Sequence, residues 1–424
     1  MKEHFIVGLD IGTSCIRIAV GQIGTTPERR LTLNILGAAE MPSAGIAKGN
    51  ITSLEDAVSS ISACLEQAER VVGMPISQAV VGIGGTTITS QEAKGVIGVS
   101  RSDGEIRAED VARALESARA FVNPANQEIL HVLPRSFSVD GQYGIKDPIG
   151  MQGIRLEVDA LIVQGLSSHV RNLTKAVFRI GLDISELVYA PLAVAEAVTS
   201  PRERELGVCV MSIGATTTGM AVYENGELLR AVTLPIGADH ITNDIAIGLR
   251  ISLESAERIK RMHGNAHAEI IPKRGEEIDL IEFGADQSET VPLRFIAEII
   301  EARVEELCEK ANAELKAIGR EGLLPAGVIL SGGGAKLPGV SDIVKQVLRL
   351  PCALGVSSVA STMPEVVQDS AFSTAVGLVL WAYDHERRED GSGPSQMQGI
   401  GRKGGEIAGK ISAPLKKIFK SFIP

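Results

Sequence analysis

The 424-residue chain contains no apolar run of the ~18 to 20 residues that a bilayer-spanning helix needs, so no transmembrane helix is expected. Nor does it open on a clean apolar stretch. The start, MKEHFIVGLDIG, places an acid and a glycine where a secretory leader has its hydrophobic core, and secretion is not expected. Cysteine is sparse. The five cysteines (Cys15, Cys64, Cys209, Cys308, Cys352) are scattered and odd in number, which gives neither a disulfide framework nor a zinc spacing and suits a reducing compartment. A basic face is also missing. The net charge is -10, and Arg402 to Pro424 alone carry six Lys or Arg against one Glu, leaving -15 on the rest. An acidic body argues against nucleic-acid binding, while a basic tail on it implies an anionic partner for the tail.

What is present is an internal repeat. Residues 7–20 read VGLDIGTSCIRIAV, and a shift of 202 superposes Ile11 on Ile213, Gly12 on Gly214, Ala19 on Ala221 and Val20 on Val222. Both segments have the grammar of a buried strand, a turn of Gly, Thr or Ser, and an alternating strand. Two such hairpins half a chain apart predict two related lobes. Each turn is either an ordinary glycine hairpin or a phosphate cradle, in which Thr13, Ser14, Thr216 and Thr217 donate to phosphate oxygens. Asp10, before the first turn, is a candidate ligand for hydrated Mg²⁺. A third cluster, Ser331-Gly332-Gly333-Gly334-Ala335-Lys336, follows an apolar strand. It is either a strand-to-helix connection or a bare backbone surface for a flat ligand flanked by Lys336. On a helix spanning Ser252 to Met262, Glu257 and Lys260 share one face, as a solvated pair or as groups that bracket a nucleoside.

In this order, the elements resemble the actin and chaperone ATPase superfamily, and more specifically the FtsA family of actin-like bacterial cell-division proteins. The closer likeness rests on Gly45-Ile46-Ala47-Lys48-Gly49, the stretches from His131 to Phe137 and from Gly144 to Gly150, Glu205 to Val210, and Ser373 to Leu378. The resemblance implies an α/β, ribonuclease H-like duplicated two-lobe fold with an inserted subdomain. Its divisions would be 1–83 and 166–200 for the first lobe, 84–165 for the insert and 201–360 for the second lobe. Residues 361–383 would return to the first lobe. It further implies ATP with Mg²⁺ between the lobes, bound by Asp10, Gly12, Thr13, Ser14, Gly214, Thr216, Thr217, Glu257, Lys260, Gly332, Gly333, Gly334 and Lys336. Implied partners are a second copy of the chain in a filament, later division proteins at the insert, and the C-terminal peptide of the tubulin-like FtsZ. That peptide would meet Arg294 and Arg303 on a helix from Leu293 to Ala313. The implied location is the cytoplasmic face of the inner membrane at the division septum.

The second phosphate loop departs from the family pattern, in which an aspartate precedes Ile-Gly-Gly-Gly-Thr. Here Ser212-Ile213-Gly214-Ala215-Thr216-Thr217 stands instead. A neutral hydroxyl neither holds the metal's water shell nor orients an attacking water well, so ATP binding without efficient hydrolysis is expected, with an active ATPase as the alternative. If positions 215 and 216 need a left-handed backbone, each lost glycine costs roughly 1 kcal/mol. A pilus-assembly actin homologue is a further alternative. Residues 384–405 are polar and glycine-rich and read as a flexible linker. Beyond them, over 406–424, Ile411, Leu415, Ile418, Phe419, Phe422 and Ile423 recur at steps of three and four, with Lys416, Lys417 and Lys420 between. The pattern predicts an amphipathic helix that either docks on the body or lies on an anionic membrane, where each lysine contributes ~1 kcal/mol.

Overall fold

The computed structural model describes residues 4–25, 31–101, 103–120, 126–272, 275–284, 288–355, 357 and 365–389. The first lobe opens with strands β1 (His4–Ile11), β2 (Cys15–Thr25) and β3 (Leu31–Pro42). A short hairpin of β4 (Ile46–Ala47) and β5 (Asn50–Ile51) follows, then helix α1 (Leu54–Val72) and strand β6 (Gln78–Ile83). The inserted segment contributes β7 (Ile88–Gly98), α2 (Ala108–Ala120), β8 (Gln127–Val139), β9 (Gln142–Ile145) and β10 (Arg155–Leu166). The chain returns through α3 (Ser167–Arg179), β11 (Asp183–Tyr189) and α4 (Ala190–Val198). The second lobe holds α5 (Pro201–Leu206), β12 (Val208–Ile213), β13 (Thr218–Glu224), β14 (Glu227–Leu234), α6 (Ala238–Leu249) and α7 (Leu253–His263). It continues with β15 (Glu277–Asp279), β16 (Thr290–Pro292), α8 (Leu293–Ala317), β17 (Gly327–Ser331), α9 (Val340–Leu348) and β18 (Cys352–Leu354), and α10 (Ser373–Glu389) ends the described chain.

The repeat is realised as two five-stranded sheets of one topology, β11-β6-β1-β2-β3 and β18-β17-β12-β13-β14. In each, the central strand is antiparallel to its hairpin partner and parallel to the strand on its other side. The hairpins share their register. Ile11 pairs with Ile16, and 202 residues later Ile213 pairs with Thr218. The inserted segment forms its own four-stranded sheet, β7-β10-β8-β9, with a small core of Ile106, Val111, Ala114, Phe137, Leu156 and Val158.

Alternation along the second sheet gives it two apolar faces. Val210, Ala221 and Ile329 join the first-lobe core around α4, whereas Met211, Met220 and Leu330 pack in a separate core with α8 and α9. On α8, Ile296, Ile300, Val304, Leu307 and Ala311 are buried at steps of three and four, the period of an amphipathic helix. The last helix closes the fold by crossing α4 at Gly377, where a Cβ would stand 1.8 Å from the Ala193 carbonyl oxygen.

Two expectations about the C-terminal region meet the structure differently. Residues 384–389, read as linker, continue α10. The helix is fastened just before them, by the Trp381 indole N–H to Glu186 (3.2 Å) and the Tyr383 hydroxyl to the Leu31 carbonyl (2.7 Å). The predicted tail helix, with Ile411, Leu415, Lys416, Lys417, Ile418, Phe419, Lys420, Phe422 and Ile423, lies outside the described residues. Among the described residues no helix is long and apolar enough to cross a membrane.

Candidate functional site

The two hairpin turns come together across the lobes. The Thr216 hydroxyl donates to Thr13 Oγ1 at 3.2 Å, and the same Thr13 oxygen accepts the Gly49 N–H at 3.2 Å. Both turns need glycine for room. A Cβ on Gly12 would meet the Cys15 carbonyl oxygen at 2.6 Å, and one on Gly214 the Thr217 carbonyl oxygen at 2.9 Å. The start of α6 seats the second turn, with Ala238 N–H on the Gly214 carbonyl (2.9 Å) and Asp239 N–H on that of Ala215 (2.7 Å).

The expected penalty at positions 215 and 216 does not arise. Neither Ala215 nor Thr216 takes a positive φ, nor do Gly12 and Gly214, so a Cβ there carries no left-handed strain. Tight contact, not unusual dihedrals, is what these turns demand.

Asp10 lies at the end of β1, directly opposite Arg17 on β2. Burial pushes its carboxyl up to about 6, against the opposing pull of the Arg17 guanidinium and the Thr374 hydroxyl. Arg17 is itself committed to Glu40, Nε to Oε2 at 2.6 Å. A crowded carboxylate whose desolvation is not fully compensated gains from a cation. Among the described residues no three His, Cys, Asp or Glu converge. A Mg²⁺ ion there would have Asp10 as its protein ligand and take water and phosphate oxygens for the rest, a coordination that suits this ion. The matching position on β12 is Ser212, which faces Gly219 of β13 and brings no second charge.

The third glycine cluster packs onto the second hairpin. Gly332 has φ +82°, and a Cβ on it would lie 2.5 Å from the Ile213 carbonyl oxygen; one on Gly334 would lie 2.4 Å from Ile213 Cγ2. Gly333 has nothing within 4 Å of where its Cβ would be. It alone of the three offers open backbone beside the turns. Lys336 reaches away to Asp369, Nζ to Oδ2 at 2.6 Å.

Glu257 and Lys260 meet each other at 2.5 Å. Lys260 is only 8% exposed, and its ammonium also donates to Thr242 Oγ1 (2.8 Å) and the Ala238 carbonyl (3.2 Å). Thr242 donates in turn to Glu257 at 2.6 Å, and Arg261 adds a contact at 2.9 Å. This network ties α7 to the first turns of α6 and so steadies the helix end behind the second loop. On α8 both candidate peptide-binding arginines are engaged. Arg294 holds Glu298 (3.0 Å) and the Ile271 carbonyl (3.0 Å). Arg303 grips both Asp244 oxygens (2.5 and 2.8 Å) and pairs with Glu306. An acidic peptide would have to displace those carboxylates.

Sequence patterns had not pointed to Arg17, Thr374 or the Gly49 N–H as parts of this site. Arg17 was the most visible, a charge between buried Ile16 and Ile18 and opposite Asp10. Thr374 and Gly49 carry no local signal, because only the packing of α10 and the β4–β5 turn brings them here.

A family model described as cell division protein FtsA matches residues 209–377, and one described as the SHS2 domain inserted in FtsA matches residues 85–164. The chain is 39% identical over 388 residues to the cell division protein FtsA of Bacillus subtilis, covering 91% of this chain and 85% of that one. It is 35% identical over 419 residues to the protein of the same name from Borreliella burgdorferi, 99% of each. Among solved structures it is similar to the PilM-PilN type IV pilus biogenesis complex, with a TM-score of 0.64, 17% identity, and coverage of 92% of this chain and 99% of that one. MreB5 of Spiroplasma citri bound to ADP superposes with a TM-score of 0.52 and 12% identity, over 91% of this chain and 98% of that one. These structural likenesses establish an actin-like fold.

Proposed function

The chain belongs to the FtsA family of bacterial cell-division proteins, and from that premise we propose that it is a nucleotide-binding scaffold linking FtsZ to the membrane. ATP would lie between the lobes, its phosphates against Thr13, Ser14, Thr216 and Thr217 and its base on the bare backbone at Gly333. The observation that carries this reading is the meeting of the two repeated turns at Thr13 and Thr216, 203 residues apart in the chain. That MreB5 of Spiroplasma citri, a protein of similar fold, binds ADP agrees with it.

Each residue has a defined task in this reading. The turn hydroxyls and backbone N–H groups bind phosphate oxygens. Asp10 holds the hydrated cation, whose charge offsets that of the phosphates. The Glu257–Lys260 network fixes α6 against the second turn. Ser212 supplies no carboxylate to orient an attacking water, so the cleft holds ATP as a structural ligand and turns it over poorly. The acidic body and the basic amphipathic tail divide the remaining work. The tail binds anionic lipid at the cytoplasmic face of the septal membrane, α8 receives the FtsZ peptide, the insert meets later division proteins, and copies associate into filaments.

The decisive experiment measures ATP binding and phosphate release on the purified protein, with and without Mg²⁺. Binding with negligible release supports the scaffold. Sustained release returns the protein to the ATPases, and no binding removes the cleft from its function. Deleting residues 413–424 should abolish co-sedimentation with anionic liposomes; unchanged sedimentation refutes the tether.

A further inference from the structure

Among the described residues, three hairpins are closed by two residues that both take positive φ: Lys48-Gly49 (51° and 78°), Asp140-Gly141 (48° and 86°) and Asn225-Gly226 (54° and 78°). Such turns match the twist of the flanking strands, and Asn-Gly or Asp-Gly fills them best, since a short polar side chain tolerates the left-handed region. Two of the three follow that preference. At the third, between β4 and β5, a lysine occupies the position that Asn or Asp takes in the others, and nothing in the turn itself calls for it.

The place of this turn supplies a reason. The Gly49 N–H is bonded to Thr13 Oγ1, the atom at which the two phosphate turns meet. The turn is wedged in place, for a Cβ on Gly49 would lie 2.8 Å from the Gly85 Cα. The Asn50 amide also donates to the Lys48 carbonyl at 3.3 Å. Lys48 is therefore a solvent-exposed cation on a flexible four-carbon stem, mounted on rigid backbone beside the first phosphate turn.

Its charge is also uncommitted. A nucleoside triphosphate needs positive charge near its phosphates, yet the other cations around the cleft are already neutralised, Arg17 by Glu40, Lys260 by Glu257 and Lys336 by Asp369. Among the described residues, Lys48 has no ion-pair or side-chain hydrogen-bond partner. Gly332 and Gly334, on either side of the bare backbone at Gly333, pack on Ile213 in the second lobe, whereas Gly49, the neighbour of Lys48, bonds Thr13 in the first, so base and terminal phosphate divide between them.

The geometry points to Lys48 as the cation that meets the terminal phosphate of a nucleoside triphosphate held between Thr13 and Thr216. It acts there as a mobile point charge at the anion's far end. This assignment rests on the reading that the cleft binds nucleotide, and its test separates the two. The variant to use is Lys48→Asn in the full chain, because asparagine suits the turn and removes only the charge. Affinities for ATP, ADP and AMP are measured with Mg²⁺, alongside thermal unfolding without nucleotide. The expected result is a Tm at or above that of wild type, ATP affinity reduced roughly tenfold, ADP less affected and AMP unchanged. Wild-type ATP affinity in K48N overturns the assignment while leaving the cleft reading intact, as does an equal loss for all three nucleotides. A clearly lowered Tm overturns the account of the turn. If the wild-type protein binds no nucleotide, the cleft reading falls and takes the assignment with it.

Discussion

Replacing Gly332 by alanine tests whether the third glycine cluster is shaped by packing or by its ligand. Two costs fall on that substitution. The backbone at Gly332, φ 82° and ψ 168°, lies in a region that is essentially restricted to glycine, and a side chain there costs about 1 to 3 kcal/mol. The new Cβ would also stand 2.5 Å from the Ile213 carbonyl oxygen, which is rigid backbone at the end of β12, and relieving such overpacking costs a further ~1 to 3 kcal/mol. A net destabilisation of about 3 kcal/mol is expected. Gly333→Ala is the control within the same cluster. Its φ is not positive and its Cβ meets nothing within 4 Å, so its stability should stay within about 0.5 kcal/mol of wild type. Thermal unfolding followed by circular dichroism, without nucleotide, should show Gly332→Ala melting roughly 3 °C lower, as the unfolding entropy of a chain this long implies, and Gly333→Ala unchanged. The same Gly333→Ala protein should bind ATP more weakly, because its methyl group covers the open backbone on which the base rests. A Gly332→Ala protein as stable as wild type would refute the packing of β17's end on β12. Wild-type ATP affinity in Gly333→Ala would refute the placement of the base.

Three further outcomes are expected. Burial holds the His131 imidazole down at about 4, helped by nearby His385, and its Nε2 accepts the Tyr189 N–H at 3.0 Å. Between the ordinary value of about 6.5 and that level the unfolded chain binds the extra proton, so this stability is complete above pH 6.5 and declines as pH falls towards 4. The stability advantage of wild type over His131→Gln should therefore shrink by up to about 2 kcal/mol between pH 7.5 and 5, and a pH-independent difference in urea denaturation counts against the cause. Ser212→Asp alone should raise phosphate release, since no left-handed backbone at 215 and 216 calls for restored glycines; unchanged release refutes the role given to Ser212. Glu257→Ala leaves the buried Lys260 ammonium without its carboxylate and should cost about 2 kcal/mol, below the usual range for buried pairs because Glu257 itself is part-exposed. Adding Lys260→Met should recover most of that loss, and no recovery would mean the unpaired charge is not the cause.

Much of the architecture was readable from residue order because it is written in short-range patterns. The hairpin repeat, its 202-residue offset and its shared register follow from alternation on either side of a glycine turn. Helix α7 begins where Ser252 caps it, close to the segment read as helical, whereas α8 was expected from the family resemblance alone and runs four residues further, to Ala317. The continuation of α10 through Asp384 to Glu389 was missed because those residues show no apolar stripe; the helix is carried there by anchors at Trp381 and Tyr383, whose partners lie 195 and 352 residues away.

The sequence by itself determined which residue types stand where the two turns meet: glycines, hydroxyls and a single carboxylate. It did not determine how they are employed. Lys336 and Arg303 each looked free for a ligand and are held by Asp369 and Asp244 of the same chain. Lys48, which showed only as part of a family stretch, keeps its charge available. Tertiary structure made that division, because an ion pair depends on which side chains the folded backbone brings within about 3 Å, and residues far apart in sequence approach that closely only once the elements carrying them have packed.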